Sequence, residues 1–407
     1  MDYVVPEYGL GSLYGFEEME AIAFALQQGS YEGGWILGEF EKEFAAFCGA
    51  KHAVGTVSGT MALHMAAHIL DLEEGDEVIC TTQTFQATML PFVARRLTVR
   101  FADIEPETLC IDPATIEPLI TPKTRAIYVM HYGGLPCDMD PAMEIGRAHG
   151  LPVVDDAAHA AGAVYKGRRI GGIADITCFS FGSLKNMTTL GQGGMITTNN
   201  DEWAARLYAI RGRGLSGKRR ERPESVIGPY PQPDPPYSDH SGDSYTHDDV
   251  EIDGAGMNIP MTGCQAAAGR VQLKKLDAMN AVRRELAARY SEGLTQIEGV
   301  RVQPVTEDRH SVYHLYPFFI NQRETGVSHD DLIRGLEARG VRINNRFFPC
   351  HLTSYMRPAG HQFGECPVCE RVWFDEQVNL PISPLHKPKQ MDYAVEQVAA
   401  LVKELRR

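Results

Sequence analysis

A single lysine, Lys185, stands in the stretch "FSFGSLKNMTTLGQGGMITT" (179–198), among apolar, hydroxyl and glycine residues. Lysine normally stays in water. In a partly dry pocket its pKa falls and it becomes a nucleophile toward an aldehyde. Upstream, "PVVDDAAHAAGA" reads as a buried strand ending in Asp155 and Asp156, with His159 three residues beyond Asp156. Taken alone, the pair reads in two ways: one aspartate caps the next helix, or Asp156 holds a positive charge on a ligand. The segment "ADITCFSFGSLK" reads as a second strand running into a turn. If it returns beside the first, Asp156 and Lys185 share the C-terminal edge of an open α/β sheet, where ligands bind. Pyridoxal 5'-phosphate needs this set, a lysine for its Schiff base and an acid at its pyridine nitrogen. Its phosphate would find partners at "SGT" (58–60). Gly59 allows close backbone approach, and the amides of Gly59 and Thr60 would point out of a helix N-terminus. The hydroxyls of Thr60 and Ser180 add hydrogen bonds, although a Ser-Gly-Thr turn is also an ordinary cap.

The elements that must position these residues follow from periodicity. Apolar residues at helical spacing mark helices over 16–28 and 38–48, separated by the glycine-rich "GSYEGGWILG". "HAVGTVSGTMALHMAAHILDL" reads as strand, turn and helix. Short strands then recur at "EVICTT", "VRFADI", "AIYVMHY", "LPVVDD", "ITCFSF" and "GMITT", with helices such as "PAMEIGRAHG" between several of them. That alternation predicts an α/β fold with a mostly parallel central sheet covered by helices on both faces. Residues 214–248 break the pattern, with six prolines between Pro223 and Pro236. A loop that long inside a domain is functional or partly disordered. A long helix over 262–294 leads into strands at "HLYPFFI" and "VRINNRFF" and helices at "SHDDLIRGLEARG" and "PKQMDYAVEQVAALVKELRR". The expected organisation is a large cofactor-binding domain over 1–260 carrying the 214–248 insertion, a connecting helix over 261–294, and a small α/β domain over 295–407.

These residues resemble the DegT-like family of fold-type I, pyridoxal-phosphate-dependent sugar aminotransferases. The resemblance runs from "GEFEKEFAAFCGAKHAVGTVSGTMALHMA" through "TTQTFQATM" and the block from "VVDDAAHAAGA" to "GQGGMITTN", then "GMNIPMTGCQAAAGRVQLKKLD", to "CPVCERVWFDEQVNLPISP". It implies that Lys185 forms the internal aldimine and later moves a proton on the substrate. Asp156 would pair with the pyridinium nitrogen, His159 would lie near the phenolic oxygen, and Phe85 would stack on the ring, as a planar cation favours. Gly59, Thr60 and Ser180 would hold the phosphate. Asn258 matches a position reaching the phosphate of the neighbouring subunit, which implies a homodimer with shared active sites. The implied reaction is ping-pong transfer of an amino group from glutamate or glutamine to a keto-sugar, foremost a nucleotide-linked keto-deoxysugar, with a free keto-cyclitol or keto-sugar as the nearest rival. Ile259 and Pro260 stand where the family commonly has an aromatic and a basic residue, and "LGQGG" replaces "GEGG". Sugar dehydration by relatives requires histidine in place of Lys185. A cofactor-binding regulator would need an output element, and no basic recognition helix or tail is present.

The bulk properties narrow the field further. The chain is 43% hydrophobic and 23% charged over 407 residues, within the globular range, with a formal charge of −14. That charge disfavours nonspecific binding to nucleic acid or an anionic membrane. The N-terminal residues are acidic and no long apolar run occurs, so the expected location is cytoplasmic, without membrane association. Nine cysteines, an odd number, read as reduced thiols rather than a disulfide framework. Cys366 and Cys369 resemble half a zinc site, but no second pair lies at a suitable spacing, so no metal is expected. His131 either lines the pocket or caps the sheet edge. Lys218, Arg219, Arg220 and Arg222 form a basic run in the proline-rich loop, either solvated or placed to close over a diphosphate.

Overall fold

The computed structural model describes residues 3–29, 34–219, 250–252 and 254–406. Its central sheet is built from β1 (His52–Thr56), β2 (Glu77–Thr81), β3 (Thr98–Ala102), β4 (Thr124–Met130) and β5 (Val153–Asp156). After a hairpin of β6 (Val164–Tyr165) and β7 (Arg168–Arg169), it is completed by β8 (Ile176–Ser180) and β9 (Gly194–Thr198). The order is β1-β9-β8-β5-β4-β2-β3. Only β9 runs against its neighbours, and β8, β5, β4, β2 and β3 pair in parallel. Every residue of β2 and β5 is buried, the pattern of a sheet covered on both faces. The parallel strands therefore end at a common edge, which receives the loops after Thr56, Thr81, Asp156 and Ser180.

Helices α1 (Phe16–Gln27), α2 (Gly34–Cys48), α3 (Gly59–Ile69), α4 (Leu90–Arg95), α5 (Met139–His149) and α6 (Asp201–Arg211) flank this sheet. The start of α2 differs from expectation, since "GWIL" is helical rather than loop. Ile36 and Leu37 lie buried on the same helix as Phe40 and Phe44, and this packing overrides the breaker signals of Gly34 and Gly38. Strands β10 (Leu215–Arg219) and β11 (Val250–Ile252) pair antiparallel. The remainder of the proline-rich insertion, with Arg220 and Arg222, lies outside the described residues.

Helix α7 (Gly263–Leu294) opens with a capping box between Thr262 and Gln265. Its first half contributes Ala266, Leu273 and Leu276 to the buried cluster around the central sheet. Its second half contributes Leu286, Ala287, Tyr290 and Leu294 to a separate cluster. That second cluster surrounds an antiparallel sheet of β12 (Val300–Val302), β14 (Tyr316–Ile320) and β15 (Gln377–Leu380). The short β13 (Arg309–His310) instead joins the β6–β7 hairpin. Helices α8 (Gln322–Thr325), α9 (His329–Ala338), α10 (Pro367–Arg371) and α11 (Pro388–Leu405) complete the chain. Val5 belongs to the second cluster and bridges Val341, so the N-terminal strap starts there and crosses to the first.

"VRINNRFF" is not the strand its composition suggests. Beyond the Val341 bridge it is irregular, because Asn345 takes over the pairing with its side chain. Asn345 Nδ2 donates to the Gln377 carbonyl at 2.8 Å and Asn345 Oδ1 accepts from the Asn379 amide at 2.9 Å. This amide clasp on the edge of β15 releases the following residues toward the large sheet.

Candidate active site

Asp156 ends β5, where it registers with Cys178 of β8, and is almost fully buried. Its Oδ2 accepts from the Thr88 hydroxyl at 2.7 Å and its Oδ1 from the Ala158 amide at 3.1 Å. Burial holds its carboxyl above the ordinary value, against those two bonds and the charge of Lys185. Neither aspartate caps a helix. Asp155 faces the other way and binds His131 Nε2 at 2.8 Å, while His131 Nδ1 accepts from the Cys137 amide at 2.9 Å. That amide fixes the tautomer with the proton on Nε2. His131 is thus a wholly buried brace between β4 and β5.

Lys185 follows β8 in a turn closed by its own amide on the Gly182 carbonyl. Burial, reinforced by the Arg346 charge and opposed by Asp156, brings its pKa down to about 8. His159 is also buried, and its Nδ1 has no hydrogen-bond partner among the described residues. Burial and the charges of Lys185 and Arg346 keep its pKa well below the usual imidazole range. The ring lies 4.1 Å from that of His314 and stacks on Phe347 at 5.5 Å. Phe85 meets Phe347 at 5.5 Å yet leaves 45% of its surface exposed. Its ring is therefore open to another planar group.

Ser58 caps α3 through its Oγ, which accepts from Met61 N at 3.2 Å. The first-turn amides of Gly59 and Thr60 have no intrahelical acceptor. A Cβ at Gly59 would lie 2.6 Å from Ser180 Cβ, so glycine permits the start of α3 to approach the end of β8. The turn that Ser58 caps therefore presents its free amides beside the end of β8. Gly59, Thr60 and Ser180 gather on one side of the edge that carries Asp156 and Lys185. Asn258 does not join them through its side chain: it is exposed, on a segment whose Ile259 carbonyl accepts from the Val57 amide and the Thr56 hydroxyl.

These residues fit pyridoxal phosphate. A buried acid with neutral donors suits a pyridinium, an orphaned imidazole nitrogen suits a ring oxygen, and a depressed lysine suits an aldehyde. Thr88, His314 and Arg346 were not found by sequence reasoning. Thr88 had a local signal, a hydroxyl three residues beyond Phe85, whereas His314 and Arg346 come from the far side of α7. Cys369 Sγ donates to Gln83 Oε1 at 2.8 Å, and all nine cysteines are free. Among the described residues no cluster of three or more His, Cys, Asp or Glu could hold a metal, and no helix is long and apolar enough to cross a membrane.

Fold and site together define a fold-type I, pyridoxal-phosphate-dependent aminotransferase. The chain belongs to the DegT/DnrJ/EryC1/StrS aminotransferase family, whose profile matches residues 14–399. It is 35% identical to the spore coat polysaccharide biosynthesis protein SpsC of Bacillus subtilis over 393 residues, 96% of each chain. It is also 35% identical to the GDP-perosamine synthase of Caulobacter vibrioides over 330 residues, 81% of this chain and 80% of that one. The crystal structure of S. venezuelae DesV with a ketimine intermediate superposes with a TM-score of 0.81 at 32% identity, covering 95% of this chain and 94% of DesV.

Proposed function

We propose that this enzyme moves an amino group from glutamate or glutamine to the keto group of a nucleotide-linked keto-deoxysugar, in two half-reactions at one site. The carrying observation is that Lys185 and Asp156 meet electrostatically at one sheet edge, beside an unpaired His159 Nδ1. Bound pyridoxal phosphate supplies an aldehyde that takes up amines and a ring that withdraws electrons from the adjoining carbon. Asp156, oriented by Thr88 and Ala158, would keep a proton on the pyridine nitrogen. Lys185 Nζ would hold the cofactor's aldehyde and would serve as the group that moves a proton on the substrate. His159 Nδ1, without a partner among the described residues, would serve the cofactor's ring oxygen, and the exposed Phe85 would cover its ring. The amides of Gly59 and Thr60, with the hydroxyls of Thr60 and Ser180, would seat the phosphate.

The sugar assignment draws support from the 35% identity to a GDP-perosamine synthase. A free keto-sugar or keto-cyclitol is the second reading, favoured by Ile259 and Pro260, neither of which supplies a cation for a diphosphate. We place the enzyme as a homodimer in which Asn258 reaches the partner's phosphate seat. Support comes from its exposure and from the apolar residues Phe16 and Met19 of α1, which are 67% and 58% exposed. The two buried clusters joined by α7 support a large domain to residue 260 and a small one from 295. The test is spectroscopic. Glutamate or glutamine should bleach the yellow band of the loaded enzyme, and a nucleotide-linked keto-sugar should restore it. Restoration by free keto-sugars alone would move the assignment to the second reading, and no bleaching by either donor would overturn the first half-reaction.

A further inference from the structure

We propose that a cavity between α7 and the segment joining β12 to β14 binds an organic phosphate ester, at a place separate from the amino-transfer site. The cavity has a volume of about 340 Å³, within the range of small-molecule sites. One wall is a single face of α7, where Arg284, Ala288 and Ser291 follow each other at helical spacing. The other wall comes from residues between Pro304 and Tyr313, joined by Leu135 from the loop after β4. No carboxylate lines the cavity, in a chain whose formal charge is −14. The field inside it therefore favours an anion.

Its donors are unspent. Arg284 is exposed, and no carboxylate pairs with it among the described residues. Arg309 Nη1 is buried and makes no hydrogen bond; Glu105 Oε2, 3.8 Å away, already accepts from the Thr108 hydroxyl at 2.7 Å. Thr306 Oγ1 is buried without a partner as well. Polar atoms left unpaired in this way are costly, and an acceptor entering the cavity would relieve them. The Tyr313 hydroxyl also lacks a hydrogen bond among the described residues, and burial holds its phenol protonated against the Arg284 charge, so it too can donate. Two guanidinium groups and two hydroxyls suit a phosphate, with its several acceptor oxygens. The apolar part of the lining decides what the phosphate carries. Leu135, Ala288, Pro304 and Val305 stand beside the donors, and Val305 is 79% exposed. An organic group would cover surface that a bare phosphate leaves wet. Tyr313 reaches this cavity while the next residue, His314, lines the cleft beside the Lys185 turn. The backbone between them is left-handed, with φ of Tyr313 at 43°, a strained conformation of the kind that concentrates at ligand sites.

The test measures binding of glucose 1-phosphate and of inorganic phosphate to the holoenzyme by calorimetry, with the cofactor's own phosphate already in place. Glucose 1-phosphate should bind at one site per chain, and inorganic phosphate should compete for it severalfold more weakly. Arg284→Gln, on an exposed position of α7, should weaken the ester by roughly tenfold to a hundredfold, as expected for a lost charge-assisted hydrogen bond. Arg284→Lys should recover part of that loss. Thr306→Val keeps shape and charge, and should weaken the ester severalfold, which a general attraction to surface arginines would not show. Lys185→Ala should leave ester affinity unchanged. Binding of neither probe, inorganic phosphate held as tightly as the ester, unchanged affinity in Arg284→Gln or Thr306→Val, or loss of the ester in Lys185→Ala would each overturn the assignment. Bleaching of the holoenzyme by the amino donor, expected intact in the Arg284 and Thr306 variants, separates failure here from failure of the aminotransferase reading.

Discussion

Replacing Gly59 with alanine sets two physical effects against each other with opposite signs. Gly59 is the first residue of α3 and its φ is not in the left-handed region, so helix propensity alone favours alanine by up to about 1 kcal/mol. The added methyl, however, would lie 2.6 Å from Ser180 Cβ and 3.1 Å from Ser180 Cα. Those atoms belong to the end of a central strand and not to the tip of a flexible side chain, so the strand or the helix start must move. Overpacking of this kind costs about 1–3 kcal/mol, and a contact as short as 2.6 Å puts it in the upper half of that range, about 2–3 kcal/mol; less the propensity gain, this leaves a net loss of about 1–3 kcal/mol and a fall in Tm of roughly 1–4 °C. Because the same contact shapes the proposed phosphate seat, cofactor affinity should fall too. Thermal unfolding of the apoenzyme and equilibrium titration with pyridoxal phosphate read the two effects. Ser180→Gly removes the struck Cβ and leaves only the 3.1 Å approach to Cα, so Gly59→Ala should cost clearly less stability in that background. If Gly59→Ala melts at or above the wild-type temperature, or costs as much stability in the Ser180→Gly background as in the wild type, steric contact between α3 and β8 is not what requires the glycine.

Thr88→Val keeps shape but removes the hydroxyl that donates to Asp156. The Asp156 carboxyl should rise further, and cofactor affinity should weaken about tenfold by titration. Lys185 sits at about 8 rather than near 10.5, so its neutral fraction grows as pH rises through about 8. At pH 7.5 about a quarter of it is neutral, against about a thousandth for an ordinary lysine. Labelling of the apoenzyme by an amine-directed reagent, mapped to Lys185, should show that midpoint, and a midpoint near 10.5 would contradict it. Phe16→Glu with Met19→Glu should lower the assembly mass seen by light scattering without lowering Tm by more than a degree or two.

Legibility of the site tracked sequence distance. Asp156, His159, Ser180 and Lys185 sit on or just after two adjacent strands, so short motifs with apolar runs before them were enough to place them at one edge. Gly59 and Thr60 were legible for the same reason, as a turn between a strand and a helix. Arg346 and His314 were not, because each reaches the site from a loop flanking the smaller sheet, beyond a helix of 32 residues. Local pattern carries no record of that return. "VRINNRFF" misled more actively: its composition suits a strand, and only the side-chain clasp of Asn345 on β15 shows why it is not one. The opposite error occurred at α2, where glycines masked a buried helical face. His131 and Asp155 were visible as polar residues at strand ends, but their mutual hydrogen bond, which takes both out of contention as ligands, required the register of β4 against β5.

The central claim is that the amine of Lys185 takes up the cofactor's aldehyde. Loading the protein with pyridoxal phosphate, reducing it with borohydride and mapping the modified peptide tests this most directly. The expected result is one cofactor per chain on the peptide containing Lys185, and none there in Lys185→Ala that remains folded. Label on another lysine, or a colourless protein that takes up no cofactor, would contradict it.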